Sequence, residues 1–274
     1  METTQLLILA GGKGTRLKDE TIYLPKVLVK IFDNKTILDL LIARYAVYFS
    51  DVVILAGYLS ERISEHVRLY YRDQYPHVRV LVEDVPMGTA GPLLMHKNEL
   101  ADTFLIMNGD TWLSANPLKM GFRNKFTTRA QIAVTKVENA GRYGSVTSDS
   151  YGQVLDFVEK DPTGNNMPGF INAGWCLAGK SIIDEIHSLP CSLEQDIFPK
   201  LLGELSLESI ELEGSFIDIG IPSTLAYARK NEDFFRVGLW VNKKKPCLKM
   251  AILTLSLCFN FMLERVNKDR KSFY

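Results

Sequence analysis

The chain has 274 residues, of which 46% are hydrophobic and 23% charged, enough for one large α/β domain or two small ones and too apolar for a disordered chain. Thirty-two Lys and Arg balance 32 Asp and Glu, which gives no ground to expect nucleic acid as a partner. The balance is uneven: residues 237–274 together with Arg236 hold nine basic side chains against Glu264 and Asp269, so the rest of the chain is acidic by seven charges. Cys176, Cys191, Cys247 and Cys258 form no C-x-x-C pair and no zinc spacing, so free thiols in a reducing cytosol are expected. The start of the chain lacks the basic region and cleavage site of a signal peptide, and no run reaches the roughly 18–20 apolar residues that span a bilayer.

The first apolar run, Leu6–Ala10, is stopped by Gly11-Gly12 and reads as a strand buried on both faces of a parallel sheet. Leu38, Leu41, Ile42, Tyr45 and Phe49 then recur at helical spacing. Val52–Ala56 is a second strand, and Ile63, Val67, Tyr70 and Tyr71 mark a second helix that Ser60 would cap. Val78–Val82 is a third strand, a helix is expected after Pro92, and Phe104–Met107 is a fourth strand. Strand and helix alternate to residue 110, which means βαβ units on a parallel sheet with helices on both faces and ligands beyond the C-terminal strand ends. From residue 130 the texture changes. Short β-like runs at 131–137, 154–158 and 170–177 are followed by Ser192-Leu193-Glu194-Gln195, with capping-box spacing at the start of another helix. Final strands are read at 208–212 and 216–219. The expected organisation is a nucleotide-binding half over 1–129, a second half of the same domain over 130–236, and an appendage over 237–274.

The first strand runs into Leu9-Ala10-Gly11-Gly12-Lys13-Gly14-Thr15-Arg16-Leu17. Glycines let backbone N–H groups close on a phosphate. A P-loop is excluded in this loop because its glycines lead into no Gly-Lys-Ser/Thr, and a dinucleotide fingerprint because Leu17 stands three after Gly14. The longer pattern G-G-x-G-T-R-L-x-x-x-T-x-x-x-P-K-x-L, from Gly11 through Thr21 and Pro25-Lys26 to Leu28, resembles that of the sugar-1-phosphate nucleotidylyltransferases, the pyrophosphorylases that make nucleotide sugars. The resemblance covers about residues 5–230. It implies an α/β, Rossmann-like fold with a mixed, mostly parallel sheet, and transfer of a nucleotidyl group from an NTP to a sugar 1-phosphate. It also implies that Leu9, Gly11, Gly12, Gly14 and Thr15 line the nucleotide, that Arg16 binds the leaving phosphates, and that Lys26 neutralises the α-phosphate region.

A carboxylate at a strand tip suits Mg²⁺, which takes one or two carboxylates and fills its shell with phosphate oxygens and water. By the resemblance Asp110, in Asn108-Gly109-Asp110, is both a catalytic residue and a metal ligand, and Asp218 is the second ligand. Lys160 would grip the sugar phosphate, Glu159 and Asn172 the sugar, and Gly144 would offer a backbone contact. By the same resemblance, Glu83, Gly88 and Thr89 fall in the segment that binds the base. Guanine presents two adjacent donors, and a carboxylate only accepts, so Glu83 favours GTP over thymidine or uridine nucleotides. The 192–196 and 216–222 segments are most similar to those of D-glycero-α-D-manno-heptose 1-phosphate guanylyltransferases, with mannose 1-phosphate the next candidate.

Two alternatives stay open: a thymidylyl-, uridylyl- or cytidylyltransferase on another sugar phosphate or phosphorylated alcohol, and a catalytically inactive regulatory homologue. A cytoplasmic protein, with assembly into a homo-oligomer left open, is expected. Met250 to Leu263 is uncharged, about 21 Å long as a helix at ~1.5 Å per residue and so too short for a ~30 Å hydrocarbon core. It would pack on the catalytic domain or a partner subunit, rest at a membrane surface, or be a poorly ordered non-native extension.

Overall fold

The computed structural model describes residues 3–124, 126–158 and 167–235. The expected contacts of Glu159 and Lys160, the appendage over 237–274, and Cys247 and Cys258 lie outside the described residues. Cys176 and Cys191 are both buried free thiols.

In chain order the strands are β1 (Gln5–Ala10), β2 (Lys30–Phe32), β3 (Lys35–Thr36), β4 (Asp51–Ala56), β5 (Val78–Val82), β6 (Thr103–Asn108), β7 (Thr111–Leu113), β8 (Ala130–Val137), β9 (Ser145–Ser148), β10 (Val154–Val158), β11 (Gly169–Gly179), β12 (Leu207–Glu211) and β13 (Phe216–Asp218). The α-helices are α1 (Ile37–Tyr45), α2 (Ser60–Tyr70), α3 (Gly91–Met95), α4 (Phe198–Gly203) and α5 (Pro222–Lys230). The main sheet runs β10-β9-β11-β6-β1-β4-β5, with β8 beside β11 and β12 beside β8. Strands β6, β1, β4 and β5 are mutually parallel. β11 joins antiparallel to β6, so the strands after residue 130 extend the same sheet.

The alternation of the apolar runs explains this burial. Leu6, Ile8 and Ala10 of β1, with Val52 and Ile54 of β4 and Leu105 and Met107 of β6, pack into one core with α1. Leu7, Val53, Leu55, Phe104 and Ile106 face a second core on the other side, with Leu193, Ile197, Phe198 and Leu201. A sheet covered on both faces needs apolar residues at every position, as these runs supply. Among the described residues, no helix is long and apolar enough to cross a membrane.

Three local features depart from the sequence pattern. Ser60 is the first residue of α2 and caps nothing. The preceding position is Leu59, in a left-handed conformation (φ 53°). The segment after Ser192 opens as a π-turn over Leu193–Ile197 before α4. There Ser192 Oγ accepts from Gln195 N at 3.2 Å, but the reciprocal contact to Ser192 N comes from Asp196 Oδ2 at 2.7 Å, not from Gln195. The extra residue of the π-turn moves the carboxylate into reach. The β2–β3 hairpin leaves no mark in the apolar pattern because its strands are three and two residues long. Its turn, Asp33-Asn34, carries the positive φ values (45° and 60°) that such pairs tolerate.

Candidate functional site

The parallel register sets the site. Ala10, Ala56 and Val82 are mutually aligned at the ends of β1, β4 and β5, and Leu9 is aligned with Asn108 of β6. The next residues in that row are Gly11, Gly57 and Glu83. The Glu83 carboxylate lies across the two glycines: a Cβ on either would overlap its Oε1. Glu83 is only 8% exposed, and its Oε2 is buried without a hydrogen-bond partner among the described residues. Burial pushes its carboxyl up from the usual range, opposed by the nearby backbone N–H of Met87. An orphaned buried carboxylate oxygen costs stability, and a ligand that donates to it removes that cost. Gly57 belongs to no motif in the sequence, yet it follows the second strand as Gly11 follows the first, and Tyr58 N donates to Gly11 O at 3.1 Å.

The glycine-rich loop leaves β1 through Gly11 and Gly12, and Gly14 is in the left-handed region (φ 65°) ahead of a 3-10 segment, Thr15–Thr21. Thr21 folds back on the loop, donating its hydroxyl to Gly14 O at 2.9 Å. That return brings Pro25-Lys26 beneath the loop, where Lys26 Cβ lies 3.1 Å from the place a Gly14 Cβ would take.

On the far side of the loop the two distant aspartates meet. β7 pairs antiparallel with β13, placing Asp218 opposite Thr111, and Ile219 N donates to Asp110 O at 3.0 Å. Gly220 marks the convergence: a Cβ there would stand 2.6 Å from Asp218 Oδ1, 3.0 Å from Arg16 Nη2 and 3.5 Å from Asp110 Oδ2. Lys26 Nζ pairs with Asp110 Oδ2, the two side chains being 14% and 19% exposed. Arg16, Lys26, Asp110 and Asp218 therefore share one small volume. Burial alone would raise the Asp110 carboxyl, but the Lys26 ammonium outweighs it and holds Asp110 below the usual carboxylate range. Asp218 goes the other way, pushed up by burial and then by the charge of Asp110. A carboxylate pair with one member so disfavoured is suited to a further cation.

Asn172 and Gly144 are brought together, Asn172 N donating to Gly144 O at 2.9 Å. Asn172 sits at the start of a bulge in β11, where the register against β8 shifts before Cys176, and its Oδ1 accepts from Gly174 N at 3.0 Å. Its carbonyl oxygen thus braces the bulge. Tyr143, beside Gly144, packs edge-on against Phe216 with ring centroids 5.4 Å apart, tying this segment to the strand that carries Asp218. Gly88 and Thr89 lie past Glu83, and Thr89 is already engaged: its hydroxyl donates to Glu194 at 2.8 Å and accepts from Leu193 N at 2.7 Å. Nothing in the local sequence of Glu194 marks it as a partner of this loop.

Comparison with known proteins gives the family of the chain. The model of the family described as Nucleotidyl transferase matches residues 5–232. The chain is 33% identical over 223 residues to the mannose-1-phosphate guanyltransferase of Schizosaccharomyces pombe, covering 79% of this chain and 61% of that protein. It is 36% identical over 225 residues to mannose-1-phosphate guanylyltransferase 1 of Arabidopsis thaliana, again 79% and 61% of the two chains. It spans about three fifths of the length of these curated relatives. Among solved structures, HddC from Yersinia pseudotuberculosis complexed with GMP-PN is similar with a TM-score of 0.71 and 28% identity, over 84% of this chain and 100% of that one.

Proposed function

The chain belongs to the nucleotidyl transferase family, and on that premise we propose that it joins a nucleoside triphosphate, GTP by preference, to a sugar 1-phosphate, releasing pyrophosphate. The convergence of Arg16, Lys26, Asp110 and Asp218 beyond the strand ends, beside a glycine-rich loop, is the observation that carries this reading. In the reaction a phosphate oxygen of the sugar 1-phosphate attacks the α-phosphorus in line. The new P–O bond forms as the bond to the β-phosphate breaks, and the electron pair leaves with pyrophosphate. Such chemistry needs positioning and charge neutralisation more than covalent participation. Backbone N–H groups of the 11–15 loop hold the triphosphate, Arg16 neutralises the leaving phosphates, and Lys26 moves from Asp110 to the α-phosphate. Gly144 and Asn172, with Glu159 and Lys160, receive the sugar phosphate.

Asp110 and Asp218 would hold Mg²⁺. The pair fits it: two carboxylates in one volume, with Asp218 destabilised by its neighbour's charge, match an ion that draws its remaining ligands from phosphate and water. When bound, the ion would neutralise developing charge on the phosphates.

The base reading rests on Glu83. Its buried, unpartnered Oε2 can take a guanine N–H, and it would face a carbonyl unfavourably in uracil or thymine. The relatives named as guanylyltransferases and the neighbour solved with GMP-PN support the same base. For the sugar we favour a manno-configured 1-phosphate, the D-glycero-α-D-manno-heptose ester ahead of mannose. Pyrophosphate release measured over four NTPs against several sugar 1-phosphates tests all parts. Turnover restricted to GTP and manno-configured esters is expected. Turnover with another base or sugar transfers the reading to that substrate, and no turnover with any pair would leave an inactive homologue.

A further inference from the structure

We propose that Glu194 is a positioning residue for base selection, acting through Thr89 on the loop that follows Glu83. This rests on the reading of Glu83 as the group that meets the base.

The loop 85–91 is held by a segment about a hundred residues away. Cys191 N donates to Met87 O at 2.8 Å, and Ala90 N donates to Cys191 O at 2.9 Å. Gly88 between them has φ 80°, and a Cβ there would overlap Cys191 O, so only glycine lets the two backbones close. The side-chain half of the clamp is Thr89. Its single hydroxyl proton goes to Glu194 Oε2 at 2.8 Å, while its oxygen takes Leu193 N at 2.7 Å. Ser192 Oγ donates to the same Glu194 oxygen at 3.0 Å. One carboxylate oxygen thus gathers two hydroxyls, one from each segment, in bonds strengthened by its charge. The platform is itself braced, since Ser192 N is held by Asp196 and Gln195 N by Ser192 Oγ.

The consequence reaches Glu83 through Met87. Met87 O is pinned to Cys191, and its backbone N–H is the group that favours the charged form of the buried Glu83 carboxylate. Releasing Thr89 loosens the span between two anchored points, Glu83 N on Ala56 O at 2.8 Å and Ala90 N on Cys191 O. Glu83 then samples more orientations, and the accept-only edge it offers a base is blurred. The interaction is not needed to complete the phosphate site, which is built from the 11–28 segment after β1, the turn between β6 and β7, and the end of β13.

The test is kcat/KM for GTP, UTP and dTTP with one sugar 1-phosphate, in the wild type, Glu194→Ala, Glu194→Gln and Thr89→Val, alongside the melting temperature of each. The wild-type ranking alone judges the base reading. The ratio of the wild type's preferred nucleotide to the others, compared across variants, judges Glu194 whichever base proves preferred. Glu194→Ala and Thr89→Val should shrink that ratio about tenfold, the size expected for one or two hydrogen bonds, chiefly through KM of the preferred nucleotide with kcat within a few-fold. Glu194→Gln keeps an oxygen that can accept both hydroxyls and should restore most of the ratio. An unchanged ratio in Glu194→Ala, or losses equal for all nucleotides that follow the fall in melting temperature, would overturn the proposal. If Glu194→Ala does not fold, Thr89→Val decides in its place: a reduced ratio supports the proposal and an unchanged one overturns it.

Discussion

Replacing Glu83 by Gln keeps the shape of the side chain and changes what it can offer. The carboxylate presents only acceptors, and Oε2 is buried with no partner among the described residues. In Gln one of the two positions becomes an N–H₂ group, set against the N–H donors of guanine or matched to a carbonyl of uracil. Losing a charge-assisted hydrogen bond in a buried site costs about 1.5–3 kcal/mol, which at about 1.4 kcal/mol per factor of ten is roughly 10- to 150-fold. That loss should appear in the ratio of kcat/KM for GTP over UTP, measured by pyrophosphate release. It should not come from unfolding. Burial already disfavours the Glu83 charge, so the neutral Gln should hold or raise the melting temperature of the free protein. A pH dependence follows as well. Because the carboxyl is raised, it protonates on the acid side sooner than an ordinary Glu, so wild-type preference for GTP should weaken as pH falls through that raised value. Glu83→Gln should show no such trend. An unchanged nucleotide ranking in Glu83→Gln, with the protein folded, would refute the argument that this carboxylate reads the base.

Asp110→Asn should fold yet lower kcat by about two orders of magnitude or more, since it weakens charge stabilisation worth several kcal/mol at the phosphates; near-wild-type turnover would remove Asp110 from the reacting site. Asp39 offers a separate check on stability. Burial alone would raise its carboxyl, but hydrogen bonds from His66, Thr36 N and Tyr71 pull it down to about 2. A carboxyl lowered on folding stabilises the native state above its unfolded value of 3.8 and loses that contribution as pH falls toward about 2. The shift is worth about 2 kcal/mol, so denaturant titrations should show Asp39→Asn less stable at neutral pH and converging on the wild type near pH 2. Ending the chain after Arg236 should leave kcat/KM within a few-fold. Phe235→Ala should cost about 3–5 kcal/mol, because Phe235 is fully buried with its ring 5.4 Å from Trp112 and 5.7 Å from Phe32; loss of soluble, active protein on that truncation would move the boundary outward.

The local sequence carried whatever depends on neighbours along the chain. The continuous apolar runs at 6–10, 52–56 and 104–107 are strands because a sheet covered on both faces leaves no position for a polar side chain. The glycine-rich loop and the aspartate at the tip of β6 follow from the rule that ligands gather beyond parallel strand ends. Thr21 and Lys26 were legible as members of one continuous motif, but the return of Thr21 onto Gly14 was not. What local pattern could not contain is register and the meeting of distant segments. Asp110 and Asp218 stand 108 positions apart in the sequence, and only the antiparallel pairing of β7 with β13 makes them one site. Glu83 follows an ordinary strand in the sequence; its burial comes from the alignment of Ala10, Ala56 and Val82, which lays it across two glycines from two other strands. The hold of Glu194 on Thr89 is the extreme case. Each residue in it is ordinary where it stands, and the contact exists because the strands after residue 130 continue the first sheet and bring residues 191–194 back over the loop from β5. Periodicity reports which face of an element is buried, whereas the partner on that face is chosen by the packing of the whole chain.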